Sequence, residues 1–347
     1  MARAGIPALL AAFLLPQAAA HAEVAPVRVA NAEDLAPTPD GRWVFTGSGV
    51  GGPVKSGSLA RIGAASGRVS KAYPLKAGGA SEIPGCAGEV PTAKFEPHGL
   101  ALSPRGDLLY VVNHGERESL EIFRVAADGT GGLSWIGCAP APEGYIQNSV
   151  SAAADGTAFV SMWPTPIDPK TFAEMTGKVF AWSRVAGWRE VPRSGVTTPN
   201  GVLVAPDGKT LYVAAYIRRE VVEFSLGPDA VRRRVVKLSF MPDNLRWGPR
   251  GSLLAAGQDA PMADIARCAG SADAECAIPA AVAVIDPGSF AATCERPVPL
   301  SFATTAAAVG DEVWVSQYRG GAVLRLPARA LAPPECAAPL QPSGSEH

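Results

Sequence analysis

One hairpin pattern returns along this chain in a fixed register, and that return constrains the fold more than any other feature. In EPHGLALSPRGDLLYVVNH, residues 96–114, Leu100 and Leu102 and then Leu109 and Val111 alternate as half-buried strands do, with Pro104 and Gly106 placed where a tight turn needs them. Counting back eight residues from the turn glycine gives Glu33 before Gly41, His98 before Gly106, Asn148 before Gly156, Asn200 before Gly208 and Asp243 before Gly251. A sixth, degenerate copy runs from about Thr304 through Gly310 into Val313-Trp314-Val315. The starts lie 65, 50, 52, 43 and about 61 residues apart. Units of that length made of a few short strands are the signature of propeller blades. The expected fold is therefore all-β, a six-bladed β-propeller with four-stranded blades spanning residues 23–327.

The ends read differently. Residues 1–22 carry Arg3, a short apolar run and the small-residue stretch QAAAHA, which reads as a signal peptide cut near Ala22. The alternative is an uncleaved N-terminal anchor. Nothing else suggests a membrane span once the leader is cut, so the chain is expected in the periplasm or secreted. Residues 328–347 form a Pro- and Ala-rich tail. In an exported chain six cysteines suggest disulfides, and their positions favour Cys86 with Cys138, Cys268 with Cys276 and Cys294 with Cys336. A net charge of -1 implies no basic face, so nucleic acid is not an expected partner.

Within the array, residues 47–57 are Gly-rich but lack the ending of a phosphate-binding loop and read as a flexible connection. Residues 163–169, WPTPIDP, interrupt the third blade and are either a pocket wall or a surface excursion; residues 170–175 suit a short helix. Residues 260–277 read as a polar loop holding two cysteines. The run Arg232-Arg233-Arg234 reads as a solvated turn or strand edge.

The register also locates chemistry. The innermost strand of each blade lines the central channel, so residues sharing a register position form a ring. That ring comprises Glu33, His98, Asn148, Asn200 and Asp243, with Asn244 beside the last. Desolvated polar groups are costly without partners. Two carboxylates and three carboxamides make a hard oxygen set that suits Ca²⁺ better than zinc or copper. A simpler account, that Asn and Asp favour turns before strands, covers an Asn or two but not Glu33 and His98 at the same position.

Taken in order, EDL at Glu33, PHG at His98, VVNH at His114, the Asn148 copy, NG with PDG at residues 200–208 and DN at Asp243-Asn244 resemble the paraoxonase/arylesterase family, in the wider gluconolactonase-like group. The resemblance covers most of residues 23–327. It implies a catalytic calcium held by Glu33, Asn148, Asn200, Asp243 and Asn244, with His98 as base and His114 behind it. It implies hydrolysis of a small-molecule lactone or aryl ester. It also implies a second, structural calcium on Asp34 and the backbone of Leu100, but the aspartate that completes that site is here Ser149. Family members tie their ends by a disulfide; no cysteine precedes Cys86 after the leader, so closure is expected to rest on strand pairing. Two other readings stand beside this one: a sugar-lactone hydrolase that does not need the histidines, and a non-catalytic propeller binding a protein or peptide across its mouth.

Overall fold

A computed structural model describes residues 25–48, 56–73, 80–168, 170–227, 231–271 and 276–332. The leader, most of the Gly-rich segment 47–57 and Cys336 lie outside the described residues.

Six antiparallel sheets follow one another along the chain. The first five are up-and-down meanders over residues 35–73, 97–140, 145–190, 199–237 and 241–298. Blade three also carries a two-residue strand, Val196–Thr197, paired with residues 176–177. Blade six contributes three strands of its own, Ala303–Val309, Glu312–Gln317 and Ala322–Pro327, and its fourth is the N-terminal strand Val27–Arg28. That pairing, Val27 opposite Val323 and Arg28 opposite Ala322, closes the ring. The expected closure by strand pairing is what the fold uses.

Alternation explains why the sheets stack. Each strand sends successive side chains to opposite faces, and a blade sandwiched between two others must be apolar on both. Six buried clusters result, one for each pair of neighbouring blades, including the pair that joins blade six to blade one through Val27, Leu35, Ile62, Trp314 and Val323. The turn glycines at 41, 106, 156, 208, 251 and 310 all have φ between 58° and 86°, a region L side chains avoid. The repeated glycine that revealed the register is thus a backbone requirement of the hairpin.

One expectation is corrected. The supposed polar loop 260–277 holds the helix Met262–Gly270; the two cysteines and the polar residues after it masked an apolar stripe at helical spacing, Met262, Ile265, Ala266 and Ala269. Beyond the last strand, Ala328–Leu331 form a 3₁₀ turn whose Leu331 is buried against blade six. Residues 170–175 do shorten to one 3₁₀ turn, Phe172–Glu174, and Arg232 to Arg234 lie in the outermost strand of blade four. The disulfides Cys86–Cys138 and Cys268–Cys276 form as expected. No helix among the described residues is long and apolar enough to cross a membrane.

Candidate active site

In five blades the ladder between the first and second strands skips two residues: His98-Gly99, Asn148-Ser149, Asn200-Gly201, Asp243-Asn244 and Thr304-Thr305. In blade one the equivalent pair, Glu33-Asp34, comes just before the strand Leu35–Pro37. A bulge frees two side chains from the pleat and re-aims them. Here the first of each pair turns into one cavity, so that Glu33, His98, Asn148, Asn200, Asp243 and Thr304 line a space of about 680 Å³. Thr304 completes the ring as its sixth member, which the sequence reading left out. Gly99 and Gly201 follow the ring residues because the next blade is too close for a side chain. A Cβ at Gly99 would lie 2.5 Å from the Asn148 carbonyl oxygen, and one at Gly201 would lie 2.5 Å from that of Asp243.

Asn244 stays below the cavity, buried, with Nδ2 donating to Glu33 Oε1 at 2.8 Å. One oxygen of Asp243 accepts from Gln258 Nε2 at 2.9 Å, and Gln258 is held in turn by Tyr216 and by the Ala303 carbonyl. Burial, with repulsion from Asp34 and Asp243 added, pushes the Glu33 carboxyl well above its usual range. Burial likewise pushes Asp243 up to about 7, against the hydrogen bond from Gln258. A cation nearby would favour ionising both.

The unpaired atoms show where a cation would go. Glu33 Oε2, Asn148 Oδ1, Asn200 Oδ1 and Asn244 Oδ1 are all buried and none has a hydrogen-bond partner. Native folds rarely leave such oxygens unsatisfied. Four of them, three from ring residues and one from Asn244 beside the ring, fit a hard cation with oxygen ligands. Among the described residues no group of three or more His, Cys, Asp or Glu forms a metal cluster; the set here has two carboxylates and relies on amide oxygens for the rest.

His98 Nε2 faces the ring, 3.9 Å from Glu33 Oε1 and 3.4 Å from Asn148 Nδ2. Burial, with the neighbouring His114 adding to it, lowers the His98 pKa to about 3, so its ring is neutral at physiological pH. The His114 ring lies 5.0 Å away, centroid to centroid, and its Nδ1 donates to Glu118 Oε1 at 2.7 Å. Glu118, which no motif singles out, thereby fixes the His114 tautomer.

The walls are apolar. Trp163, Ile167 and Phe172 come from the blade-three insertion, which is therefore a pocket wall and not a surface excursion. The Met262–Gly270 helix forms the facing wall with Met262, Ile265, Ala266 and Ala269, and Phe302 and Tyr318 complete it. A buried cluster of Tyr216, Met241, Ile265, Cys268 and Phe302 seats the helix on the propeller.

No family model matches the sequence, and no curated protein matches it. Solved structures do. A gluconolactonase from Xanthomonas campestris superposes with a TM-score of 0.56 at 17% identity, over 87% of each chain. The chain shares the fold of the gluconolactonase-like six-bladed propellers. A calcium-binding regucalcin from Agrobacterium tumefaciens superposes at 0.56 and 15% identity, over 88% of this chain and 93% of that one. A luciferin-regenerating enzyme gives 0.56 at 13%, over 87% and 95%.

The second ion fares differently from the first. Asp34, fully buried, accepts at Oδ1 from Leu35 N at 2.7 Å and Thr305 Oγ1 at 2.9 Å, and at Oδ2 from Leu100 N at 2.7 Å and from the Arg246 guanidinium. The Leu100 carbonyl accepts from Arg246 Nη2 at 2.7 Å. Both groups expected to hold a structural calcium are therefore occupied by an arginine, and the residues present do not fit that ion.

Proposed function

We propose that this chain is an exported, periplasmic or secreted, calcium-dependent hydrolase of lactones or aryl esters. The observation that carries the reading is the set of four buried, unpartnered oxygens from Glu33, Asn148, Asn200 and Asn244 at the floor of an apolar-walled cavity. These four residues and Asp243 would hold one Ca²⁺. A calcium held there would supply Lewis-acid polarisation of a substrate carbonyl.

This chain's own residues do the rest. The apolar walls bind the acyl or aryl part of the substrate and exclude bulk water, which strengthens every electrostatic contact at the floor. His98, neutral but with its basicity lowered by burial, presents a lone pair at the cavity floor and would take a proton at one ring nitrogen from the attacking water. The new C–O bond forms as the carbonyl opens; the ring or ester C–O bond then breaks, and His98 returns its proton to the departing oxygen. One lactone and one water give one hydroxy acid. His114, oriented by Glu118, positions the His98 ring.

Apolar walls favour aliphatic lactones and aryl esters over polyhydroxy sugar lactones, whose hydroxyls would lose water without finding partners on Ile167, Phe172, Met262 and Ile265. The test is a panel of phenyl acetate, an aliphatic δ-lactone, an acyl-homoserine lactone and gluconolactone, assayed in calcium and in excess chelator. Activity on the first three that disappears with chelator and returns with Ca²⁺ supports the proposal. Inactivity on every substrate by a folded, calcium-loaded protein would favour a binding propeller instead.

A further inference from the structure

In every blade, the residue three positions past the ring residue lines a second cavity, of about 440 Å³, at the opposite mouth: Ala36, Ala101, Ser151, Leu203, Arg246 and Ala307. The channel is thus closed between the two cavities by the residues in between, Asp34 and Leu100 among them. Of these six positions only that of blade five is charged, and the alanines and serine around it leave width for a long side chain to cross the axis.

Arg246 crosses it. Its Nε donates to the Leu35 carbonyl at 3.1 Å, Nη1 to the Leu245 carbonyl at 2.7 Å, and Nη2 to the Leu100 carbonyl at 2.7 Å and to the Asp34 carboxylate. One guanidinium thereby joins blades one, two and five, with its side chain 11% exposed and that of Asp34 fully buried. Asp34 is adjacent to Glu33, and Leu100 lies two residues from His98, so the same cation fixes the backbone under two ring residues. Ser149 stands where the resemblance expects an aspartate, and its hydroxyl is buried and unpartnered. A neutral residue there is consistent: an arginine already neutralises Asp34, and a second aspartate would over-balance it.

We propose that Arg246 is a built-in counter-cation standing in place of a second divalent ion, and that this protein binds a single Ca²⁺. A guanidinium stays protonated at any physiological pH and is not removed by chelators. The floor of the channel therefore keeps its charge balance when the catalytic ion leaves. Chelation yields a folded, inactive protein that regains activity on adding Ca²⁺, and the metal switches chemistry without switching the fold. This inference rests on the single-ion reading above.

The test counts calcium on chelator-stripped protein by equilibrium dialysis and records thermal unfolding in chelator. The native sequence should bind one ion per chain, and the Arg246→Ala/Ser149→Asp double variant should bind two. Arg246→Gln, which leaves Asp34 buried and unpaired, should unfold about 10 °C lower in chelator, and adding Asp34→Asn should restore most of that loss. Two ions on the native sequence, or Arg246→Gln melting like the native protein, would overturn the proposal. A count of zero overturns the metal-hydrolase reading and the one-ion count together; the melting comparison then decides alone for or against Arg246 as the counter-cation.

Discussion

At Asp243, burial and the proposed metal binding meet in a single residue. Its carboxyl, ordinarily at 3.8, is pushed up to about 7 in the fold. Between those values the native state holds a proton that the unfolded chain has released, so the stability of calcium-free protein falls as pH rises from about 4 to about 7. Calcium needs the ionised form, so the rise in melting temperature on adding Ca²⁺ should be small at pH 5 and large at pH 8. Melting curves with and without calcium across that range check it; an increment independent of pH would contradict the assignment. Beside it, His114→Phe removes the group that orients His98 without touching the oxygens of the ring. It should lower kcat roughly 10- to 100-fold, the range typical of outer partners, and leave calcium affinity unchanged, as dialysis and initial rates would show together. The ring residues were legible in the sequence because a repeat turns sequence position into spatial position. Thr304 was missed because a threonine in a degenerate copy does not stand out among Asn and Asp. Glu118 and Arg246 were missed because they act through contacts across 4 residues in one case and across blades in the other.

Elements outside the repeat supply the apolar walls of the pocket. The strands followed from alternation and turn glycines, whereas the Met262–Gly270 helix sat in a stretch whose cysteines suggested a stapled loop. Its four cavity-facing residues at i, i+3, i+4 and i+7 were the available signal. The Cys268–Cys276 bond holds the C-terminal part of this helix to the chain leading into the third strand of blade five. On the other wall, Phe172 packs edge-on against Trp163 at 5.3 Å. Replacing Ile265 or Phe172 with serine should raise KM for a long-chain lactone by about 10-fold or more, from the loss of roughly 1–3 kcal/mol of apolar contact. The effect on phenyl acetate, which reaches less of the wall, should be smaller. Equal effects on both substrates would show that these walls do not read chain length.

At the scale of the molecule, closure is the least redundant feature. The ring is sealed by two residues of strand, Val27 and Arg28, and Val27 is buried between blades six and one. Val27→Asp places an unpaired charge there and should cost about 3 kcal/mol or more, a fall of roughly 5 °C or more in unfolding temperature, whereas the equally N-terminal Arg28→Ala on the exposed face should change little. Reduction of Cys86–Cys138, which closes a loop with a sequence separation of 52, removes a constraint worth roughly 4 kcal/mol on the chain-entropy estimate. Blade number and closure by pairing were readable from spacing and from the absence of an early cysteine after the leader. The closed floor was not, because it depends on which side chain spans the axis. Hydrolysis is proposed to depend on a calcium held by the polar ring. The most direct measurement is the initial rate on phenyl acetate as free Ca²⁺ is buffered from chelator to millimolar, for the native sequence and for Asp243→Asn. The native rate should rise saturably and reversibly from near zero, following occupancy of one ion, and the variant's should stay flat. A native rate indifferent to calcium, or an unimpaired Asp243→Asn, would contradict it.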